Sequence, residues 1–174
     1  YLESGLSVEV IPLCLFDDLI KFLKINVRSQ SHKTAQKQAA YINDFLLFTL
    51  TGFIIGPKKS IIMAHSDGLV VINDEVHKRE FGDEPPYVGY LVIDPTYLKP
   101  GRRPVESHFD IYNIPTAEIK KLAIGTDGWL KELDLLPELW NHKHPNQVQR
   151  NMNIWSDSKR FSDDTTIIIV EKVD

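Results

Sequence analysis

Two stretches carry residues whose type and spacing suit chemistry: Leu122-Ala123-Ile124-Gly125-Thr126-Asp127-Gly128-Trp129-Leu130, and Ser162-Asp163-Asp164-Thr165-Thr166-Ile167-Ile168-Ile169-Val170. Each joins an apolar run of strand type to an acidic turn, so each can hold a carboxylate rigidly at the end of a buried strand. Carboxylate oxygens are the donors that Mg²⁺ and Mn²⁺ prefer, and Mg²⁺ takes only one or two of them while keeping several waters for itself and a phosphate. Water on such a cation is a nucleophile near neutral pH, and two cations about 3.5–4 Å apart clamp the attacking and leaving oxygens of a phosphoryl group. Each turn also has a purely structural reading. Thr126 or Asp127 can N-cap a helix that begins at Trp129, and Asp163-Asp164 can be a polar loop before a strand.

Other polar groups make weaker cases. His142 and His144 are two apart, the spacing of two zinc ligands on a strand, but they stand in a polar loop with no third ligand nearby in sequence. Arg102-Arg103 can contact a phosphate or be a solvated pair in a proline-rich loop. The stretch 141–150 is basic without interleaved aromatics and does not read as a nucleic-acid surface. Cys14 lies in an apolar run, where a thiol is inert as a nucleophile.

Composition bounds the class. A chain of 174 residues, 43% apolar and 25% charged, fits one domain with a substantial core. Its net charge of -4 does not suggest nucleic acid or an anionic membrane as a partner. With a single cysteine no intrachain disulfide forms and no cysteine-rich zinc site exists, which fits a reducing, cytoplasmic setting. The longest apolar run, 45–55, is about half the roughly 20 residues that a membrane-spanning helix needs. The chain opens Tyr1-Leu2-Glu3 with no Met and no apolar signal core, as a cut chain would.

The elements that must position the acidic turns follow from periodicity. Asp17-Asp18 before Leu19, Ile20, Phe22, Leu23 and Val27 predicts an N-capped amphipathic helix, and residues 31–43, rich in Ala, Gln and Lys, predict a second. Runs 45–55 and 60–65 around Gly56-Pro57-Lys58-Lys59 predict a hairpin, and 69–72 after Ser66-Asp67-Gly68 predicts a third strand in meander order with Asn73-Asp74 as a loop. The prolines between Phe81 and Pro104 exclude a long helix and predict an extended surface excursion. Residues 106–114 alternate in polarity, 119–125 predict a central strand leading to Asp127, and helical patches at 129–136 and 146–155 precede a closing strand at 165–173. There is no internal repeat and no glycine-rich phosphate loop.

In this order the motifs resemble the type 2C metal-dependent protein serine/threonine phosphatases, most closely their bacterial branch. The likeness runs from about Phe45 to the end and rests most on 123–130 and 163–170. It implies an α+β fold, an antiparallel β-sandwich flanked by helices in four layers, and hydrolysis of phosphoserine or phosphothreonine in protein substrates by a metal-activated water. It implies a dinuclear Mn²⁺ or Mg²⁺ centre, with Asp127 and Asp163 as ligands of one metal and Asp67 contributing to a weaker third position. Nucleic acid and membrane are not expected partners.

Two departures stand out. His65-Ser66 replaces the glycine that precedes the first of these aspartates in such proteins, and Lys131 occupies a position, four residues after Asp127, where many carry another acid. A cation pointing inward there would repel a third metal. The aspartate that bridges both metals and the arginine that grips the phosphate have no counterpart before the first helix. The chain is therefore expected to be the C-terminal portion of one phosphatase-like domain lacking its N-terminal strands, or else a phosphatase-like module that binds or regulates a partner without catalysis.

Overall fold

The computed structural model describes residues 7–82, 85–98, 108–142, 144 and 146–172. The class is α+β, with two antiparallel sheets and helices against them. The chain divides into two compact units, 1–66 with 81–118, and 67–80 with 119–174.

The first unit opens with α1, Ile11–Ser29. It begins a turn and a half before Asp17-Asp18, because Pro12 fits the first helical turn, where a missing N–H costs nothing. The two aspartates therefore lie on the exposed face inside the helix, not at its cap. α2, Ala35–Phe45, starts later than the composition suggests: Thr34 Oγ1 accepts the Lys37 N–H at 3.2 Å, the hydrogen bond that defines a helix N-cap. Strands β1 (Leu50–Ile55), β2 (Lys59–His65) and β5 (Asp110–Pro115) form a sheet in the order β1-β2-β5. Phe16 and Leu23 of α1 pack with Met63, Val88 and Phe109 against it.

The segment between Phe81 and Pro104 is not a surface excursion where it is described. Val88–Val92 is a 3₁₀ turn with Val88, Gly89 and Tyr90 buried, and Tyr90 and Ile93 pack with Val27, Ala39 and Ile42 of the two helices. A Cβ at Gly89 would lie 2.3 Å from the Leu46 carbonyl oxygen, so only glycine allows this approach. Prolines exclude the long helix, as expected, but leave room for short 3₁₀ turns that bury apolar side chains. Arg102 and Arg103 lie outside the described residues.

The second unit holds β3 (Gly68–Ile72), β4 (Glu75–Arg79), β6 (Lys121–Gly125) and β7 (Ile167–Glu171), in the order β4-β3-β6-β7. The meander breaks here: β3 pairs with β4 and β6, not with β2. β2 already has β1 and β5 on its two edges, so no ladder position remains for β3. Asn73-Asp74 is the two-residue turn of the β3–β4 hairpin, with Asn73 at φ 55, a left-handed conformation that Asn tolerates. Asn73 also ties the hairpin to β6, since its Oδ1 accepts the Lys120 and Lys121 N–H groups at 2.8 and 3.2 Å. β6 is interior in the sheet, as expected.

Residues 127–136 form two 3₁₀ turns, Asp127–Trp129 and Leu133–Leu135, before a short α3, Leu136–Trp140; α4 is Asn146–Asp157. One face of the sheet, through Leu69, Val71 and Ala123, packs on Trp129, Leu135, Leu136 and Leu139, with Val148, Met152 and Trp155 of α4 alongside. Among the described residues no helix is long and apolar enough to cross a membrane.

Candidate metal centre

Antiparallel pairing places the three candidate aspartates at one end of one sheet. Leu69 of β3 is opposite Gly125 of β6, and Gly125 is opposite Ile167 of β7. The start of β3, the end of β6 and the start of β7 therefore coincide. Asp67 lies two residues before Leu69, Asp127 two residues after Gly125, and Asp163 four residues before Ile167.

Asp67 is the buried one, 8% exposed, whereas Asp127, Asp163 and Asp164 are exposed. Ser66, directly before Asp67, has φ 70. A left-handed backbone costs an L-residue roughly 1–2 kcal/mol, so this is a conformation that glycine would adopt without strain. The chain thus keeps a glycine-like turn at Asp67 with a serine in it.

Threonine hydroxyls join the other two turns. Thr126 N–H donates to the Thr166 carbonyl at 3.0 Å, and Thr166 N–H returns a bond to Thr126 Oγ1 at 3.0 Å. Thr126 Oγ1 donates in turn to the Asp164 carbonyl at 3.2 Å. Asp163 orders its own turn: its Oδ1 accepts the Asp164 N–H at 2.7 Å, and its carbonyl accepts from Thr165 Oγ1 at 2.9 Å. Beneath them, a Cβ at Gly128 would meet Thr165 Oγ1 at 2.3 Å and the Asp164 carbonyl at 2.9 Å. The Asp127 turn and the Asp163 turn are in van der Waals contact through that glycine.

Trp129 anchors the arrangement from below. It is fully buried, with ring centroids 5.3 Å from Phe161 and 6.2 Å from Trp155. Arg160 fixes the chain just before Phe161 by ion pairs to Glu132, at 2.6 Å, and to Asp134. Those two hydrogen-bonded carboxylates raise the Arg160 pKa. Lys131 is exposed.

The donor set is hard oxygen on rigid turns, which suits Mg²⁺ or Mn²⁺ carrying much of its own water. Among the described residues no group of three His, Cys, Asp or Glu side chains is close enough to hold a cation by itself. The fit is therefore to a cation held by one or two carboxylates, not to a fully protein-coordinated one. A cleft of about 610 Å³ opens beside Asp163, lined by Gln149, Asn153 and Ser156 of α4, by Met152 and Phe161, and by Asp164 and Thr165.

Three of the histidines are held by backbone groups. His65 Nδ1 donates to the His108 carbonyl at 3.2 Å, and its ring stands edge-on to Phe16 and Phe109. His142 Nδ1 donates to the Leu139 carbonyl at 2.8 Å, while His144 Nδ1 accepts the Asn146 N–H at 3.2 Å. Each loop histidine is tied to nearby backbone. Cys14 is a free, half-buried thiol in α1. Sequence reading took Thr126 as a candidate N-cap, and it does precede the Asp127–Trp129 turn, but its hydroxyl bonds across to Asp164 and Thr166 instead of capping; that joining role, shared with Thr166 and Gly128, was not anticipated, and a threonine directly before Asp127 and another directly before β7 were the available signal.

A crystal structure of the catalytic domain of the serine threonine protein phosphatase PstP, in complex with two manganese ions, is similar over 92% of this chain and 81% of that one, at 13% identity and a TM-score of 0.47. The phosphatase domain of the cell fate determinant SpoIIE from Bacillus subtilis is similar over 88% of this chain and 72% of its own, at 14% identity and a TM-score of 0.40. The same domain presoaked with manganese gives 15% and 0.39 over the same shares. No family model matches the chain, and no curated protein does.

Proposed function

We propose that this chain belongs to a Mn²⁺- or Mg²⁺-dependent protein serine/threonine phosphatase domain, with Asp127 and Asp163 as metal ligands and Asp67 beside them. The observation that carries the reading is the coincidence of three acidic turns, from three strands, at one end of the β4-β3-β6-β7 sheet. A hard divalent cation bound there supplies an activated water and neutralises phosphoryl oxygens. The chain's own residues do the positioning. Thr126 and Thr166 lock the Asp127 turn to the strand that follows Asp163, Trp129 holds the turn from the core, and the cleft beside Asp163 offers carboxamides and hydroxyls to an extended polypeptide. Asp127 and Asp163 act as acceptor ligands, with no acid–base role.

The test is phosphate release from a phosphoserine peptide by the full-length protein, with Mn²⁺ and with chelator. Mn²⁺-dependent hydrolysis that Asp127→Ala and Asp163→Ala abolish supports the reading; hydrolysis that survives both substitutions removes it. The second reading, a phosphatase-like binding or regulatory module, predicts partner binding, no Mn²⁺ uptake and no hydrolysis.

A further inference from the structure

The cleft beside Asp163 has walls of two kinds. One is α4, whose Gln149, Met152, Asn153 and Ser156 line it. Counted from Gln149 these follow at three, four and seven residues, so they share one helical face. The other wall is the chain from Phe161 to Thr165, which carries Asp163 and Asp164. Among the described residues no Lys, Arg or His lines the cleft, so its formal charges are those two carboxylates. Arg160, next to the second wall in sequence, is already engaged by Glu132 and Asp134.

The two carboxylates differ in what they are free to do. Asp163 orders its turn through Oδ1, and a cation bound to it would offset its charge. Asp164 bonds through its backbone alone: its N–H donates to Asp163 Oδ1 and its carbonyl accepts from Thr126 Oγ1 at 3.2 Å, while its exposed carboxylate has no partner among the described residues. Across the cleft Gln149 Nε2 donates to Asn153 Oδ1 at 2.9 Å, which leaves Gln149 Oε1 as an open acceptor. Met152 and Phe161 add apolar surface. An aliphatic stem with a cationic head matches that lining, stem on the apolar side chains and head on the oxygens. An acidic group would meet like charge at Asp164, and an apolar one would strip water from it without replacing the lost bonds. Resting on the phosphatase reading above, we infer that this cleft takes a Lys or Arg side chain of the phosphorylated substrate, with Asp164 as the residue that selects it. A cleft of about 610 Å³ is roughly 9 Å across, and an extended chain advances about 3.3–3.6 Å per residue, so the basic residue stands within about three positions of the phosphoserine or phosphothreonine.

Fluorescence anisotropy of the full-length protein in Mn²⁺ tests this, with dye-labelled peptides that carry a phosphonate in place of the phosphate ester and so bind without being hydrolysed. The peptides differ only in holding Lys, norleucine or Glu at each position up to three residues on either side of the phosphonate. At one or more positions Lys is expected to bind about three- to fivefold more tightly than norleucine, the scale of an exposed charge pair, and Glu more weakly than norleucine. Asp164→Asn should bring the Lys-to-norleucine ratio toward one, and Asp164→Lys should invert the preference in favour of Glu. Taking the ratio within each variant cancels any change in metal binding caused by altering the neighbour of Asp163. Glu138→Gln, at an exposed acid outside the cleft, should leave the ratio as it is. Equal binding of Lys and norleucine at every position overturns the inference, as does a preference that survives Asp164→Asn or that falls equally in Glu138→Gln, which would show a general attraction to the negative chain. Phosphoserine versions of the same peptides keep the two readings apart: a Lys preference in binding with no phosphate release counts against the phosphatase reading alone, and phosphate release with no Lys preference counts against the role of Asp164 alone.

Discussion

Thr126 and Thr166 hold each other by two hydrogen bonds, backbone N–H to carbonyl at 3.0 Å in one direction and backbone N–H to hydroxyl at 3.0 Å in the other. The first continues the β6–β7 ladder by one step, and the second requires a hydroxyl at residue 126. Thr126→Val keeps the shape and removes the hydroxyl, so Thr166 N–H and the Asp164 carbonyl each lose a partner. A cost of about 1–2 kcal/mol in urea unfolding is expected. If the hydroxyl also sets the spacing of Asp127 and Asp163, Mn²⁺ affinity measured by calorimetry should fall about tenfold, the usual scale for removing an orienting group behind a metal ligand.

Gly128 makes a sharper case, because the clash is with the very turn that carries Asp163. Gly128→Ala puts a methyl 2.3 Å from Thr165 Oγ1 and 2.9 Å from the Asp164 carbonyl. Overpacking of this kind costs about 1–3 kcal/mol, and its relief must move the 163–165 turn away from Asp127. Loss of Mn²⁺ binding is expected along with the lower melting temperature. Gly52→Ala in β1 is the control: its Cβ meets only Met63 Cγ at 3.9 Å, so stability should hold or rise by about 0.4–1 kcal/mol. Equal destabilisation by the two substitutions would contradict the packing argument.

How legible these features are in sequence depends on what each residue had to satisfy. The turns at Asp127 and Asp163 stand out because short β-branched or aliphatic runs end abruptly at Gly, Thr and Asp, and both strands are found beside them. β4 does not stand out. Glu75-Val76-His77-Lys78-Arg79 is an edge strand in which Val76 is 40% exposed and Arg79 is buried, so the alternation that marks a half-buried strand is absent. The start of α1 was obscured by Pro12, which reads as a breaker until it is placed in the first turn. The threonine bridge between the two site turns links residues forty apart in the chain, and no local pattern reports such a partner.

The exposed ion pair between Glu9 and Lys59, at 2.6 Å, ties the segment before α1 to the first residue of β2. Hydrogen bonding to Lys59, then to Ser7, pulls the Glu9 carboxyl down to about 2 from 4.5. A lowered folded-state pKa contributes stability that is fully present above the unfolded value near 4.5 and is lost as pH falls toward 2. The effect on global stability is small because both side chains are solvated and salt screens them. It should instead be visible locally: in an NMR titration the Glu9 carboxyl midpoint lies near 2, and Lys59→Ala moves it back toward the ordinary carboxylate range. A midpoint that ignores Lys59→Ala would show that the pair does not persist in solution.

Asp163 separates a turn-forming carboxylate from a metal ligand, because its Oδ1 already has a structural duty in accepting the Asp164 N–H at 2.7 Å. Asp163→Asn keeps an acceptor oxygen for that bond and removes only the charge. If the residue is purely structural, the variant should match the wild type in melting temperature with chelator and with Mn²⁺ alike. If it is a ligand, the two conditions diverge. Without metal, removing one of the negative charges gathered at this end of the sheet relieves repulsion, so the variant should melt at the same temperature or slightly higher. With Mn²⁺ at about 100 times the wild-type dissociation constant, the wild type gains about 2.7 kcal/mol by mass action, and the variant gains little of it. Asp163→Ala, which also removes the acceptor, adds a penalty of about 0.5–2 kcal/mol under both conditions, the scale for losing a polar turn-capping group. Thermal melts of the three proteins in chelator and in Mn²⁺ therefore give a distinct pattern for each role, and an Asp163→Asn protein that gains as much from Mn²⁺ as the wild type would exclude Asp163 as a ligand.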